Sequence, residues 1–470
     1  MKKIQIAALL LGLLTLTLLI IAGRDKLFGD RTGGKKTAEN KNSESATSQG
    51  LEGEPVVRIE DDTSPYIIPV IEKDPDSETS GNDEEAAGTE KDTGSGPAQA
   101  DVPESGMEFY DGEAESILER LTLKEKLYQM LILTPEQLTG TEQVTAAGET
   151  TKNCIEKYPV GGLIYFAGNL KDPAQTKEML SKTAEYALET EGVPLFLCID
   201  EEGGRVSRIG SNSSFGVTRI KPMAKIGSED EAYEAGETIG AYLAELGFNV
   251  DFAPDTDVLT NPQNTVIGDR SFGSDPERVV RYAKAYSDGL HDCGMLSTYK
   301  HFPGHGATRD DTHEGFAYTN KTMDELMEKE LVPFADAQAA GADMIMVSHI
   351  SVPKILGDNT PCSLSGHMIT DILRGEFNYR GLIVTDAMQM GAITKMYGDT
   401  QAAVMAVKAG NDLLLMTDSH QAVVAALEKS VNDGEIKEER IDDSVRRIIS
   451  TKLRLRDREP ENENEDTPGE

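Results

Sequence analysis

The chain has 470 residues, 38% of them hydrophobic, which is enough for one large globular domain with accessory segments. Its formal net charge is −36, from 82 acidic and 46 basic side chains, and this balance argues against nucleic acid as a partner because phosphates would be repelled. The four cysteines form no CxxC pair, so neither a zinc site nor a disulfide framework is indicated.

The first 22 residues predict a membrane anchor or a signal peptide. Two lysines precede an apolar run at positions 4–22, which is near the length of a membrane-spanning helix. The run ends in a poor cleavage site, so we expect an uncleaved anchor, with a cleaved signal and a secreted protein as the alternative. The lysines would stay inside, which places the rest of the chain at the outer face of the cell membrane.

Residues 23–105 predict a disordered acidic linker. They are rich in Ser, Thr, Gly, Asp and Glu and poor in aromatic residues, so they cannot bury enough apolar surface to fold. Residues 458–470 form an acidic tail of the same kind. The globular domain is therefore expected to occupy residues 106–457.

Within that domain, short apolar runs alternate with amphipathic segments. A helix is predicted first, at 112–128. Eight apolar strands are predicted at 130–133, 162–166, 194–199, 250–253, 295–299, 344–348, 382–385 and 413–416. Most precede an amphipathic helix, as at 230–246, 276–293 and 400–409, and continuous apolar strands of this kind form parallel sheets covered on both faces. We predict an α/β fold, a (β/α)8 TIM-like barrel, with a doubly wound open sheet as the alternative.

Ionisable residues follow the predicted strands, at the end of a barrel where enzymes of this fold carry their chemistry. The candidates at these positions are Asp200 and Arg205 after the third strand, Asp255, Asp257 and Arg270 after the fourth, Lys300 and His301 after the fifth, His349 after the sixth and Asp386 after the seventh. Because five connections deliver such groups to one face, this face is the predicted active site.

The stretch KHFPGHGATRDDTHEG at 300–315 is the strongest chemical signal. Its proline and glycines would let a loop fold close to a ligand. Asp311 and His313 are two residues apart, so a carboxylate could hold one imidazole nitrogen and leave the other free for proton transfer. Asp386 is a separate carboxylate. Together these groups suit double displacement at a sugar anomeric carbon, with a histidine where a second carboxylic acid is usual.

Other interpretations of the same residues stay open at this stage. Asp386 could cap the next helix, His305 could only brace its loop, and Asp257 with Arg270 could form a structural ion pair at the rim. A zinc site built from His301, His305 and His313 with Asp311 is a further alternative, although these are loop spacings and not a helical pair.

The motif KHFPGHG followed by DTH resembles the signature of bacterial β-N-acetylglucosaminidases in glycoside hydrolase family 3. The segments DEEGGRV, GDRSFG and VTDAM resemble other motifs of that family in the same order, so the resemblance covers roughly residues 110–455. It implies that Asp386 is the nucleophile, His313 the general acid and base, and Asp311 its orienting partner. The residues expected to bind the sugar are Asp200, Arg270, Lys300 and His301 from the resemblance, and Arg205 and His349 from their positions.

The sequence departs from the family pattern at two places. Glu201 stands where the family often has Gln, and Asp255 with Thr256 stands where a branched apolar pair is common, so rim contacts are expected to differ. No second sandwich-type domain is expected after the barrel, so we expect the site to be completed within one domain.

The predicted function is that of a retaining exo-glycosidase that removes non-reducing terminal β-linked N-acetylglucosamine from peptidoglycan fragments, without a cofactor or a metal. The alternatives are a β-glucosidase or phosphorylase of the same family, a zinc-dependent hydrolase, and a non-catalytic wall-binding protein. The expected partners are an amino-sugar oligosaccharide and, through the N-terminal segment, a membrane. A monomer is expected.

Overall fold

A computed structural model describes residues 105–308 and 317–456. The predicted anchor, the linker up to residue 104, the acidic tail and the candidates Asp311 and His313 lie outside the described residues. Within the part that is described, no helix combines the length and the apolar character needed to cross a membrane.

Eight parallel strands form the centre of the fold. They are β1 (Leu131–Leu133), β2 (Gly162–Ile164), β3 (Phe196–Ile199), β4 (Val250–Asp251), β5 (Thr298–Phe302), β6 (Met344–Val347), β7 (Leu382–Thr385) and β8 (Leu414–Leu415). Their order is β4-β3-β2-β1-β8 in one sheet and β5-β6-β7 in the other. Isolated parallel bridges from Val250 to Leu296 and from Val384 to Leu413 join the two sheets on both sides. The predicted TIM-like barrel is therefore confirmed.

Helices surround the strands and follow most of them. They are α1 (Ser105–Leu118), α2 (Leu123–Gln129), α3 (Pro135–Thr139), α4 (Glu149–Lys157), α5 (Pro173–Glu191), α6 (Glu229–Leu246), α7 (Pro276–Asp292), α8 (Met323–Met327), α9 (Val332–Asp336), α10 (Pro353–Leu356), α11 (Gly391–Thr394), α12 (Asp399–Ala409), α13 (His420–Asn432) and α14 (Glu438–Arg456). A π-helical segment (His367–Glu376) lies before β7. The strands are buried along their whole length, as the continuous apolar runs predicted.

Local signals place the helix ends. Ser228 caps α6 by accepting a hydrogen bond from the backbone N–H of Glu231, and Gly247 ends that helix with a left-handed φ of 101°.

Helices α6 and α7 pack closely because both have glycine at the contact. A Cβ added to Gly236 would lie 2.0 Å from the carbonyl oxygen of Tyr286.

The prediction of a single helix at 112–128 is wrong in one respect, because two helices, α1 and α2, cover this segment. Thr122 begins the second one with a capping box: its hydroxyl accepts from the backbone N–H of Glu125, and the Glu125 carboxylate accepts from the Thr122 N–H. The apolar pattern continues through both segments, but the hydrogen bonds between Thr122 and Glu125 begin a new helix at this point.

The fifth strand was predicted to end at residue 299, but β5 continues to Phe302 and contains Lys300 and His301. The parallel register with β6 shifts between Lys300 and Phe302. Successive residues of a regular strand point to opposite faces, and an irregularity of this kind re-aims side chains. This explains how both Lys300 and His301 reach the same cavity.

Candidate active site

A cavity of about 480 Å³ opens at the carboxyl ends of the strands. One part of its wall is polar and consists of Asp200, Glu202, Arg208, Arg270, Lys300, His301, Asp386 and Gln389. The other part is apolar and consists mainly of Ile164, Phe166, Val206, Met346, Met390, Leu415 and Met416. A pocket of this size with a small set of convergent polar groups is typical of a small-molecule site. Five of the predicted site residues meet here: Asp200, Arg270, Lys300, His301 and Asp386.

Lys300 is the central cation of the polar wall. Its Nζ lies 2.9 Å from Asp200 Oδ1 and 2.6 Å from Glu202 Oε1, and its side chain is only 2% exposed. Burial disfavours the charged form, but Asp200 and Glu202 outweigh it, so the pKa of Lys300 is raised above its ordinary value. Lys300 therefore stays protonated and can donate to a ligand oxygen.

Arg270 is held by two buried carboxylates that sequence reasoning did not assign to it. Its Nε and Nη2 donate to the two oxygens of Glu202 at 2.8 and 2.7 Å, and Nε is 3.3 Å from Asp255 Oδ2. The alternative of a structural ion pair between Arg270 and Asp257 at the rim is wrong, because Glu202 offers the guanidinium a bidentate partner. Although burial opposes ionisation of Glu202, Arg270 and Lys300 hold the pKa of Glu202 well below its usual range.

Asp257 binds the two histidines of the loop. Its Oδ2 lies 2.8 Å from His301 Nδ1, and its Oδ1 accepts from the backbone N–H of His305. Burial and the charge of Arg270 lower the pKa of His301 to about 4. The ring is therefore neutral at pH 7, with its proton on Nδ1 toward Asp257. Nε2, which lies 3.3 Å from Arg270 Nη2, is left as an acceptor beside the cavity.

The departures from the family pattern lie in the interior and not at the rim. Asp255 and Thr256 are fully buried. Burial and the neighbouring Asp257 raise the pKa of Asp255 to about 7. Glu201 is also fully buried, and it accepts hydrogen bonds from the Tyr242 hydroxyl at 2.9 Å and from the backbone N–H of Gly210 at 2.9 Å, among others. These residues shape the floor of the loops, so they do not alter rim contacts.

Arg208 is a member of the polar wall that sequence reasoning missed. Its Nη2 is 3.7 Å from Asp200 Oδ2, and its guanidinium lies 5.8 Å from the centroid of the Phe166 ring. The available signal was its place in DEEGGRVSR, the segment that also supplies Asp200 and Glu202. The same segment also contains Arg205, which the sequence favours equally and which lies outside the cavity.

Two predicted sugar ligands, Arg205 and His349, do not line the cavity. Arg205 is about half exposed and bonds to backbone carbonyls of the loop after β4. His349 is fully buried, with Nδ1 2.7 Å from Ser363 Oγ and Nε2 3.0 Å from the carbonyl oxygen of Ala387. Because both ring nitrogens of His349 have protein partners, it contacts the segment after Asp386 and not the cavity.

The glycines of the KHFPGHG segment permit close packing on neighbouring protein and not on a ligand. A Cβ added to Gly306 would lie 2.2 Å from the carbonyl oxygen of Val258, and one added to Gly304, where φ is +123°, would lie 2.6 Å from Glu330 Cβ. His305 is buried with Nδ1 2.8 Å from Thr308 Oγ1. This geometry agrees with His305 as a brace of the loop.

Asp386 follows β7 directly and lines the cavity. Its backbone N–H donates to the carbonyl oxygen of Val347 at 2.9 Å, which fixes it to the neighbouring strand β6. The alternative in which it caps the next helix is wrong, because α11 begins at Gly391 with Met390 as its N-cap residue. The Asp386 carboxylate is therefore at a strand end, where a nucleophile of a barrel enzyme would stand.

Among residues 105–308 and 317–456, one group could hold a metal ion: Asp255, Asp257 and His301, whose ligand atoms lie within 4.8 Å of one another. A cation there would compete with Arg270, which already pairs with Asp255 at 3.3 Å. The zinc site considered from sequence needs His313, which lies outside the described residues. The described donors therefore fit an ion-pair network better than a metal centre.

The fold and the cavity together define a (β/α)8 barrel with a small-molecule site at the carboxyl ends of its strands. Residues 122–451 match the model of the glycosyl hydrolase family 3 N terminal domain. The chain therefore belongs to glycosyl hydrolase family 3, and the predicted class of enzyme, a glycoside hydrolase of the β-N-acetylhexosaminidase type, is confirmed.

Several relatives of this chain are named beta-hexosaminidase. The chain is 32% identical over 332 residues to Beta-hexosaminidase A of Pseudoalteromonas piscicida, matching 64% of this chain and 54% of that one. It is 33% identical over 340 residues to Beta-hexosaminidase LpqI of Mycobacterium tuberculosis, matching 71% and 83%. A family 3 beta-N-acetylglucosaminidase structure from Paenibacillus sp. str. FPU-7 has a TM-score of 0.67 at 38% identity, covering 72% of this chain and 63% of that one. The chain thus spans about half of the Pseudoalteromonas relative and four-fifths of the mycobacterial one.

Proposed function

We propose that the chain removes terminal non-reducing β-linked N-acetylglucosamine with retention of configuration. The observation that carries this proposal is the position of Asp386, a carboxylate at the end of β7 that opens onto the same cavity as Asp200, Arg270, Lys300 and His301. The names of the relatives supply the amino-sugar preference. A fixed carboxylate facing a site of sugar-binding groups is the arrangement that a covalent glycosyl-enzyme requires.

In the first step, an oxygen of Asp386 attacks the anomeric carbon and forms a glycosyl ester, while the bond to the leaving oxygen breaks. His313 gives its proton to that oxygen. In the second step, water attacks the anomeric carbon, His313 takes a proton from the water, and the Asp386 carboxylate is released. Asp311 would hold His313 in the correct tautomer. The roles of Asp311 and His313 rest on their sequence motif.

The polar wall supplies the binding energy for the sugar. Lys300 and Arg270 stay charged and donate to hydroxyl or acetamido oxygens, whereas the neutral His301 ring accepts a hydrogen bond from a hydroxyl at Nε2. Asp200 Oδ1 pairs with Lys300, whereas Oδ2, which lies 3.7 Å from Arg208 Nη2, accepts from a second hydroxyl. The apolar wall, which includes Met390 and Met416, would contact the C–H face of the ring. No step needs a metal or a cofactor.

The natural substrate proposed is a peptidoglycan fragment met at the outer face of the cell membrane, with the protein acting as a monomer. The support is the apolar run at 4–22, which would anchor the chain, and the acidic linker, which would hold the barrel away from the membrane. A fusion of residues 1–105 to a reporter, followed by fractionation and protease accessibility on intact cells, tests this placement. Reporter found inside the cell would contradict it.

The activity is tested by comparing an N-acetylglucosaminide, a glucoside and a xyloside of the same chromogenic leaving group. The proposal expects the N-acetylglucosaminide to be hydrolysed with the highest kcat/KM and with β product formed first. Mass spectrometry after a slow 2-fluoro or 5-fluoro analogue should place the sugar on Asp386. Label on another residue, or inverted product, would contradict the mechanism.

Two further arms of the assay separate the alternatives. Addition of phosphate gives a sugar phosphate if the chain is a phosphorylase, since a histidine repels an anionic acceptor less than a carboxylate does. A chelator abolishes activity if the chain is a zinc hydrolase. The proposal expects free N-acetylglucosamine with and without phosphate and no effect of the chelator.

A further inference from the structure

Arg205 lies outside the cavity, yet it makes an unusual set of contacts with the loop after β4. Its Nη2 lies within hydrogen-bonding distance of three consecutive backbone carbonyl oxygens, those of Thr265 at 2.9 Å, Val266, and Ile267 at 2.9 Å, which share its two N–H groups. Its Nε lies 3.2 Å from Asp269 Oδ1. A guanidinium surrounded in this way holds a turn of the chain together, because carbonyls that converge on one point repel each other without a cation.

That turn leads directly to Arg270. The carbonyl of Ile267 accepts from Arg205 Nη2 and also from the backbone N–H of Arg270 at 2.9 Å. Gly268 between them has a φ of 47°, so the chain reverses sharply within three residues. Any movement of the Ile267 carbonyl would therefore move the backbone that carries the Arg270 side chain.

The loops after β3 and β4 are joined by one arginine from each loop. Arg205 reaches from the loop after β3 to the loop after β4, and Arg270 reaches back from the second loop to Glu202 in the first. Glu202 also holds Lys300. Two arginines thus join the two loops in opposite directions, and only one of them, Arg270, lines the cavity.

We propose that Arg205 is a positioning residue that sets the place of Arg270, and through it the binding of the sugar. This inference rests on the proposed function for its kinetic test. The contact with the Ile267 carbonyl matters most, because it is partly buried and joins Arg205 directly to the turn before Arg270, whereas both side chains of the pair with Asp269 are nearly half exposed and such pairs contribute little. Hydrogen bonds from a charged donor contribute more.

The first experiment compares Arg205→Met, Arg205→Lys and Arg281→Met. Arg281 is the matched control, an arginine on α7 that is half exposed and pairs with Glu229 at 2.8 Å. Arg205→Met is expected to raise KM for the N-acetylglucosaminide about tenfold with little change in kcat, since one or two charge-assisted hydrogen bonds are lost. Arg205→Lys should recover part of the loss, and Arg281→Met should have the KM and kcat of the wild-type protein.

The second experiment asks whether Arg205 acts through Arg270. Arg205→Met is placed in an Arg270→Lys background, which keeps a cation beside Glu202 and Asp255 but loses the guanidinium geometry. The proposal expects the tenfold loss in kcat/KM to disappear in this background. An equal loss in both backgrounds, or no loss in either, would overturn it, because independent effects are additive.

A third measurement does not depend on activity. Amide hydrogen exchange should be faster over residues 261–272 in Arg205→Met and unchanged in α7, whereas Arg281→Met should leave residues 261–272 as in wild type. Unchanged exchange at 261–272 would contradict the positioning role. If the wild-type protein fails to hydrolyse the N-acetylglucosaminide, the proposed function fails, and the exchange result still decides whether Arg205 orders the turn before Arg270.

Discussion

Both carboxylate oxygens of Glu202 accept from Arg270, at 2.8 Å from Nε and 2.7 Å from Nη2. The same carboxylate lies 2.6 Å from Lys300 and is only 1% exposed. The buried carboxylate of Glu202 therefore orients two buried cations of the cavity, Arg270 and Lys300. A bidentate pair of this kind fixes direction as well as charge, so the donors of Arg270 and Lys300 that remain are presented to the sugar in a defined geometry.

Replacement of Glu202 by Gln is expected to impair both stability and binding. The amide leaves two buried cations without their shared counter-charge, which should lower the free energy of unfolding by about 3–5 kcal/mol and raise KM at least about tenfold. The control is Glu178→Gln, which alters an exposed pair with Lys182 and should change stability by less than about 1 kcal/mol. Urea unfolding and steady-state kinetics measure both effects, and a Glu202→Gln protein with wild-type stability would refute the assignment.

Replacement of Asp386 by Asn is expected to lower kcat by about 10³-fold or more while the thermal midpoint stays near that of wild type. The neutral amide cannot form the glycosyl ester, whereas its shape preserves the contacts of the strand end. Asp371→Asn, at an exposed position of the π-helical segment, serves as the control and should keep full activity. The assignment fails if Asp386→Asn retains more than a small fraction of wild-type kcat.

Replacement of Asp311 by Ala is expected to show a dependence on the leaving group. A chromogenic phenolate with a low pKa needs little protonation, so its release should slow only modestly, whereas a disaccharide should be hydrolysed about 10²-fold or more slowly because general acid catalysis is weakened. Circular dichroism should be unchanged. Equal losses with both substrates would mean that Asp311 does not act on the proton-transfer histidine His313.

The buried pair of acids Asp255 and Asp257 predicts how the stability of the protein depends on pH. Asp255 has a folded-state pKa of about 7 against an ordinary value of 3.8, so the native state binds more protons than the unfolded state between these values. The contribution of Asp255 to stability is therefore present below pH 4 and is lost as the pH rises through about 7, with a slope near 1.4 kcal/mol per pH unit for one proton. Asp255→Asn should make the pH profile of stability less steep over this range.

The measurement is urea unfolding at half-unit steps from pH 4 to pH 8. The control is Asp288→Asn, which removes an exposed carboxylate that pairs with Lys284 on α7 and should leave the slope as in wild type. If the Asp255→Asn profile is parallel to that of wild type, the pKa of Asp255 is not raised in the native state.

Sequence alone predicted the strands and five of the eight polar residues of the cavity wall. Continuous apolar runs identified all eight strands, because each strand of a parallel barrel is buried on both faces. It also follows from the barrel topology that residues after successive strands share one end, and Asp200, Lys300, His301 and Asp386 were found together on that basis. The family motifs identified the class of enzyme.

Sequence alone could not predict which charges pair. Glu202 and Arg270 are 68 positions apart, and nothing in either segment distinguishes Glu202 from Asp257 as the partner of the guanidinium. The direction of side chains at irregular backbone is equally hidden, so Arg205 was placed in the cavity and Arg208 was missed.

Sequence by itself thus determined the fold and the residue types at the active face, because apolar burial and strand order are encoded locally in the chain. Only the tertiary structure decided which acid neutralises which base, and which arginine meets the ligand and which holds a loop. Those outcomes depend on distances between loops, and ion pairing falls off within a few ångströms in a way that spacing along the chain does not record.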